Sequence, residues 1–310
     1  MMLEELARLD EEELRARIAE LKRKKRAVVL GHNYQVGPVQ EVSDHLGDSL
    51  RLAQLATETD ADIIVLAGVY FMAESAKILN PGKKVVIPSE SAGCPMADMV
   101  TAEELAAFRK EHPGVPVVCY VNTSAAVKAE SDICCTSSNA VDVVRSLEGD
   151  AVIFVPDKNL ASYVATKVDK TVIPWQGHCY VHNMFVVEDV VLAKSEHPGV
   201  PVVVHPESPP DVLAMADHVG STGDMVRLAK THDELIVGTE IGLVERLNRE
   251  HPDGRFYPLS AFAVCRNMKM TDLPRLAWSL EHEQYEVRVP AEVMEGARAA
   301  LERMLEVTGS

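Results

Sequence analysis

The sequence predicts an α/β protein made of three homologous three-layer αβα repeats, each around a short parallel sheet, in a pseudo-threefold arrangement. Three observations predict it. The octapeptide EHPGVPVV stands at 111–118 and again at 196–203, 85 residues apart. Each copy feeds a β-branched run and then an amphipathic helical pattern, the alternation of a parallel sheet. One cysteine recurs per repeat, Cys94, Cys179 and Cys265, at spacings of 85 and 86 residues. Such self-similarity marks an internal repeat.

In chain order, residues 3–25 read as one charged amphipathic helix. It runs into KRKKR at 22–26, where basic residues favour the helix C-terminus. AVVLGHNYQ (27–35), VPVVCYVNTS (115–124) and VPVVVHPES (200–208) are apolar runs that end in polar residues, as buried parallel strands do. The polar residue past each is His32, Tyr120 and His205. Seventeen residues further stand Ser49, Ser137 and Thr222, each opening a helical pattern where a hydroxyl caps free N–H groups or holds an anion. A second strand (ADIIVLAGV, DAVIFVPD, ELIVGTE) and a third (KKVVIPSE, KTVIPWQG, RFYPLSA) follow, so three strands per repeat are expected. The expected boundaries are 1–109, 110–194 and 195–310. The tail VRVPAEVMEGARAALERMLEV reads as a short strand and an amphipathic helix.

The bulk numbers exclude whole classes. A net charge of −16 over 310 residues opposes nucleic-acid binding, which needs phosphate-neutralising basic surface. The longest apolar run, IIVLAGVYFMA at 63–73, is too short to span a bilayer. The charged N-terminus is no secretory signal. A cytoplasmic enzyme with no membrane partner is expected, and its six cysteines are then metal-binding, catalytic or inert rather than disulfide-bonded. Cys119 lies inside a strand, and the adjacent Cys134 and Cys135 read as structural.

In parallel sheets functional groups gather beyond the strand C-termini, where the strand-end polar residues and the repeat cysteines fall. Three converging thiolates suit either zinc or an iron–sulfur cluster. A structural zinc site wants a fourth ligand, whereas a 4Fe-4S cubane held by three thiolates keeps one iron open as a Lewis acid. Glu207 is the one carboxylate just past an apolar repeat strand, placed as a general base. His32 and His205 are candidate proton shuttles or substrate holders. Ser49, Ser137 and Thr222 are candidate carboxylate and phosphate holders, and His182 a candidate for the surroundings of Cys179.

LGHNYQ (30–35), DHLGDSLRLA (44–53), SAGCPMADM (91–99), CYVNTSAAVKA (119–129), CTSSNAV (135–141), PWQGHCYVH (174–182), VHPES (204–208), GSTGDM (220–225) and CRNMKM (265–270) together resemble the quinolinate synthase family of NAD biosynthesis. The resemblance runs in family order over most of the chain. It implies a central 4Fe-4S cluster on Cys94, Cys179 and Cys265. It also implies condensation of iminoaspartate with dihydroxyacetone phosphate to quinolinate, phosphate and water, with Tyr34, Tyr120 and Asn122 in the active site. Iminoaspartate is unstable in water, so an L-aspartate oxidase or dehydrogenase is implied as its source. Some relatives carry C-x-x-C-x-x-C at the third ligand; here Met268 and Thr271 stand in place of the extra cysteines, which removes any disulfide there. Two rivals remain. An isoprenoid diphosphate reductase type would place its first cluster cysteine near the N-terminus, yet the first cysteine here is Cys94. A non-catalytic metal or small-ligand binder would have no need of Glu207 with the paired histidine and tyrosine residues.

Overall fold

The structure, a computed structural model, describes residues 1–308. The three apolar runs become the central strands of three parallel four-stranded sheets of identical order. In the first, β1 (Ala27–His32), β2 (His45–Gly47), β3 (Ile63–Ala67) and β4 (Lys84–Val86) lie in the order β2-β1-β3-β4. The second, of β5 (Val117–Tyr120), β6 (Ile133–Cys135), β7 (Ala151–Val155) and β8 (Thr171–Pro174), has the order β6-β5-β7-β8. The third, of β9 (Val202–Val204), β10 (His218–Val219), β11 (Glu234–Gly238) and β12 (Arg255–Pro258), has the order β10-β9-β11-β12. Helices flank each sheet, so the α/β class with three αβα layers holds.

The expected three strands per repeat are four. β2, β6 and β10 are edge strands of two or three residues, too short to show any hydrophobic period. What places them is an aspartate just before each. Asp44, Asp132 and Asp217 accept the N–H of Val29, Val117 and Val202 at 2.8, 2.7 and 2.8 Å. Their own N–H groups donate back to the carbonyls of those valines at 2.9, 3.0 and 2.9 Å. A basic side chain from the helix before the repeat's first strand, Lys22, Arg109 or Lys194, pairs with each.

The repeated octapeptide is a stop and restart. Helices Ala102–Glu111 and Val187–Glu196 end at His112 and His197, and Gly114 (φ 79°) and Gly199 (φ 83°) turn the chain into the next strand. Glycine takes that left-handed backbone without steric cost. The letters EHP recur at 250–252, and His251 ends helix Ile241–Glu250 in the same backbone conformation before β12.

Two compact units emerge. One comprises Met1–Cys94 and Cys265–Met294, the other Pro95–Val264 with the chain from Glu295. In the first, Leu14, Ile18 and Leu21 of helix Glu11–Lys25 and Leu273, Leu276 and Leu280 of helix Leu273–His282 bury against Val29, Val65 and Val86. The N-terminal helix is not continuous over 3–25: it breaks into Leu3–Leu6 and Glu11–Lys25, because Asp10 and Glu13 form a capping box that starts a new helix. The expected tail strand is a short antiparallel pairing that covers the β4 edge, with Tyr285 and Ile87 exchanging both N–H···O bonds at 3.0 Å. In the second unit, the part of the C-terminal helix Ala291–Val307 from Glu295 on reaches the second repeat: Arg303 donates to the Asp132 carbonyl at 2.7 Å. No helix among the described residues is long and apolar enough to cross a membrane.

Candidate active site

Each first strand of a repeat delivers its last side chains into a tight loop. His32 ends β1, Tyr120 ends β5, and His205 follows β9; all three are buried. In the first and third repeats the loop closes identically. Tyr34 N–H donates to His32 Nδ1 at 3.2 Å, and Glu207 N–H donates to His205 Nδ1 at 3.4 Å. Tyr34, Asn122 and Glu207 therefore occupy equivalent positions, two residues past the strand-end residue.

The second compact unit gathers the densest set of reactive groups. Glu207 is only 3% exposed, not a solvated loop residue. Its Oε2 lies 2.5 Å from Nδ1 of His182 and 3.5 Å from Nδ1 of His205. The two imidazoles stack, with centroids 4.4 Å apart. His182 Nε2 meets Thr239 Oγ1 at 2.8 Å, and its Nδ1 is also 3.3 Å from Cys179 Sγ. His205 Nε2 meets Ser137 Oγ at 3.2 Å. Burial raises the proton affinity of Glu207, but the charges of His182 and His205, with hydrogen bonds from His182 and Tyr120, outweigh it and hold the carboxyl at about 2. Glu207 is thus an ionised carboxylate. Its Oε1, and Oδ1 of Asn122, are buried with no hydrogen-bond partner among the described residues. Buried acceptors of that kind cost about 1–3 kcal/mol when left unmet and await a donor.

The Cys179 loop is anchored by groups that the strand-end survey of the sequence missed. Asp157, fully buried at the start of helix Lys158–Ala165, accepts from Leu160 N at 2.6 Å and from Cys179 N at 3.1 Å. Burial first, and then the Glu207 charge, push Asp157 well above the usual carboxylate range. Asn159 Nδ2 donates to the Glu207 carbonyl at 2.9 Å and to Asn183 Oδ1 at 3.0 Å. The available signal was the polar PDKN after β7, read only as the end of a strand.

His32, Tyr34, Ser49, Cys94 and Cys265 belong to the other compact unit. There His32 and Tyr34 pack edge-on, with centroids 4.6 Å apart. Ser49 and Thr222 are not the helix caps. Asp48 and Ser221, one residue earlier, accept the N–H groups of Arg51 and Asp224, because a cap needs the extended backbone that precedes the first helical residue. Ser137 likewise stands in the turn before helix Ala140–Ser146, whose N-cap is Asn139. None of the three hydroxyls is needed as a cap.

Cys94, Cys179 and Cys265 are partly exposed, whereas Cys119, Cys134 and Cys135 are fully buried. The three share one local frame. Two residues before each, a carbonyl accepts from the first residue of the helix after β3, β7 or β11: Tyr70 N to Ala92 O at 2.7 Å, Lys158 N to Gly177 O at 2.9 Å, and Ile241 N to Ala263 O at 2.9 Å. Three residues after each, a 3₁₀ turn begins: Ala97–Met99, His182–Met184 and Met268–Met270. Ligand atoms of Cys179, His182 and Glu207 all lie within 4.8 Å of one another. Thiolate, imidazole and carboxylate are metal-ligand chemistry, and each of the three cysteines stands at the same place in its own repeat.

A profile of the quinolinate synthetase A protein family matches residues 16–306. The chain is 54% identical to the quinolinate synthase of Dehalococcoides mccartyi strain CBDB1 over 293 residues, covering 94% of this chain and 97% of that protein. It is 52% identical to quinolinate synthase 1 of Methanosarcina acetivorans over 301 residues (96% and 99% covered). To the quinolinate synthase of Pyrococcus furiosus it is 50% identical over 299 residues (96% and 99% covered). The chain belongs to the quinolinate synthase family. It is accordingly an enzyme of NAD biosynthesis, and membership together with the Cys179–His182–Glu207 group points to a metal cofactor.

Proposed function

We propose that the chain condenses iminoaspartate with dihydroxyacetone phosphate to give quinolinate, phosphate and water. We read Cys94, Cys179 and Cys265 as the ligands of a 4Fe-4S cluster; when bound, its open iron supplies Lewis-acid assistance to loss of a substrate hydroxyl. The observation that carries the reading is the buried Glu207–His182–His205 group beside Cys179.

The roles of the chain's own residues follow from their surroundings. Glu207, held ionised at about 2, is a weak base alone. It acts with His205: the neutral imidazole takes a proton from the triose carbon, and the carboxylate stabilises the imidazolium so formed. Tyr120, bonded to Glu207, and Tyr34, at the equivalent position to Glu207 in the first repeat, supply hydroxyls that donate to or orient oxygen atoms of the intermediates. Asn122 offers a buried carbonyl oxygen without a partner to a substrate N–H or O–H. His32, Ser49, Ser137 and Thr222 are read as holders of the substrate carboxylates and phosphate. His182 ties Glu207 to the Cys179 loop and orients both.

The same reading assigns the repeats to 1–109, 110–194 and 195–310. It calls for an L-aspartate oxidase or dehydrogenase nearby, since iminoaspartate hydrolyses quickly, and for the cytoplasm, which keeps ligand thiols reduced. The test is anaerobic reconstitution with iron and sulfide, metal and sulfide quantification, and chromatographic detection of quinolinate from the two substrates. Four irons per chain with quinolinate formed supports it. A protein that takes up one zinc at Cys179, His182 and Glu207 and forms no quinolinate overturns it in favour of a zinc site.

A further inference from the structure

In two of the three repeats a buried side chain reaches back to the strand-end loop from the short helix that follows it. Gln40, in helix Gly37–Val42, donates through Nε2 to the carbonyls of Asn33 (3.0 Å) and Gln35 (2.8 Å), which flank Tyr34. Lys128, in helix Ala125–Ala129, donates through Nζ to the carbonyls of Val121 (2.8 Å) and Thr123 (2.5 Å), which flank Asn122. Each stands eight residues after its strand-end residue, His32 or Tyr120. Both are closed to solvent, at 1% and 0% exposure.

Burying an ammonium is costly, and an apolar side chain of the same volume would pack there without that desolvation. Packing therefore does not account for Lys128, whereas its bonds to the two loop carbonyls do; the Val121 carbonyl also accepts from Thr123 N at 2.8 Å, so Lys128 ties both ends of that turn together. The third repeat has Leu213 at the corresponding position. Its loop is held differently, by Pro206 and by the Asn159 bond to the Glu207 carbonyl.

We propose that Gln40 and Lys128 are positioning residues: each fixes, through the two flanking carbonyls, the loop backbone that presents Tyr34 or Asn122 to substrate. The inference rests on the reading of these loops as substrate-binding. Released from its clamp, a loop shifts, and a misplacement of about 1 Å costs on the order of 100-fold in kcat/KM.

The test uses the reconstituted holoenzyme and three readouts: the dissociation constant of quinolinate by calorimetry, kcat and KM for dihydroxyacetone phosphate, and Tm. Lys128→Met keeps the volume and removes the donors; it should weaken quinolinate binding about tenfold or more. Lys128→Gln, the donor used by the first repeat, should recover part of the loss. Gln40→Met tests the same device in the other compact unit and stands in if Lys128→Met does not fold. Placed on an Asn122→Ala background, Lys128→Met should add little, since residues acting through one contact are non-additive. If Asn122→Ala weakens binding while Lys128→Met and Gln40→Met lower Tm alone, the positioning role is overturned. If Asn122→Ala itself leaves binding and kinetics unchanged, the reading of the loop fails, and the inference with it.

Discussion

His182 Nδ1 lies 2.5 Å from Glu207 Oε2, and both side chains are closed to solvent. That contact joins the loop after β9 to the 3₁₀ turn after Cys179, so one carboxylate orients a proton-transfer group and a candidate metal loop together. Glu207→Gln keeps the shape but removes the charge that both imidazoles face. It should lower kcat by about 10²–10⁴ with the fold intact. Steady-state quinolinate formation checks this, and near-normal turnover would remove Glu207 from the mechanism.

The cysteines should separate into two classes. Cys94→Ala, Cys179→Ala and Cys265→Ala should each deplete iron and sulfide in the purified protein. Cys119, fully buried and 3.0 Å from Thr123 Oγ1, should behave as core: Cys119→Ala keeps full metal content and costs about 1 kcal/mol of stability. Iron and sulfide assays beside urea titrations distinguish them.

Gly177 is pinned by close approach. A Cβ there would lie 2.6 Å from the Pro156 carbonyl oxygen, backbone that cannot rotate away. Gly177→Ala should destabilise by about 1–3 kcal/mol and, because the Gly177 carbonyl accepts from Lys158 N, lower metal uptake at Cys179, two residues on. Unchanged Tm and metal content would show that the loop relaxes freely.

Glu283 gives the pH dependence of stability. Hydrogen bonds from Lys25 and Lys84 hold it at about 2, below the usual 4.5. A depressed carboxylate stabilises fully above its unfolded value and loses that contribution as pH falls toward the folded value. The stabilisation should therefore be complete above about 4.5 and fade toward 2. With the carboxylate 33% exposed, screening limits it to about 1 kcal/mol. Urea unfolding of Glu283→Gln should show that loss near neutral pH and little difference from the parent chain at about pH 2.

Much of the fold was legible because repetition amplifies weak signals. A single apolar run such as Val202–Val204 is ambiguous, but three at matched spacing with a cysteine after each are not. The edge strands escaped notice because β2, β6 and β10 have no periodicity of their own; they are placed by the aspartate bonds of Asp44, Asp132 and Asp217 to a neighbouring strand. The caps were misjudged by one residue at Ser49 and Thr222, since Asp48 and Ser221 are equally good cap formers.

For the site, sequence reading picked out Cys179, His205 and Glu207 by position after a strand and Ser137 by its place seventeen residues past Tyr120, and the structure brings these side chains together. That reading passed over Asp157 and Asn159, whose only signal was the polar PDKN after β7, and had no means to find Lys128; all three look like ordinary polar residues of helices and helix ends until their hydrogen-bond partners are known. By itself the sequence determined the class, the threefold internal duplication and which side chains are candidates for the chemistry, because residue type and spacing are written in the chain. Only the tertiary structure decided which of those groups touch, that Glu207 is buried and ionised, and that a lysine is enclosed among backbone carbonyls. Proton affinity and hydrogen-bond partnership depend on burial and on distances between residues far apart in sequence, and no local pattern encodes those.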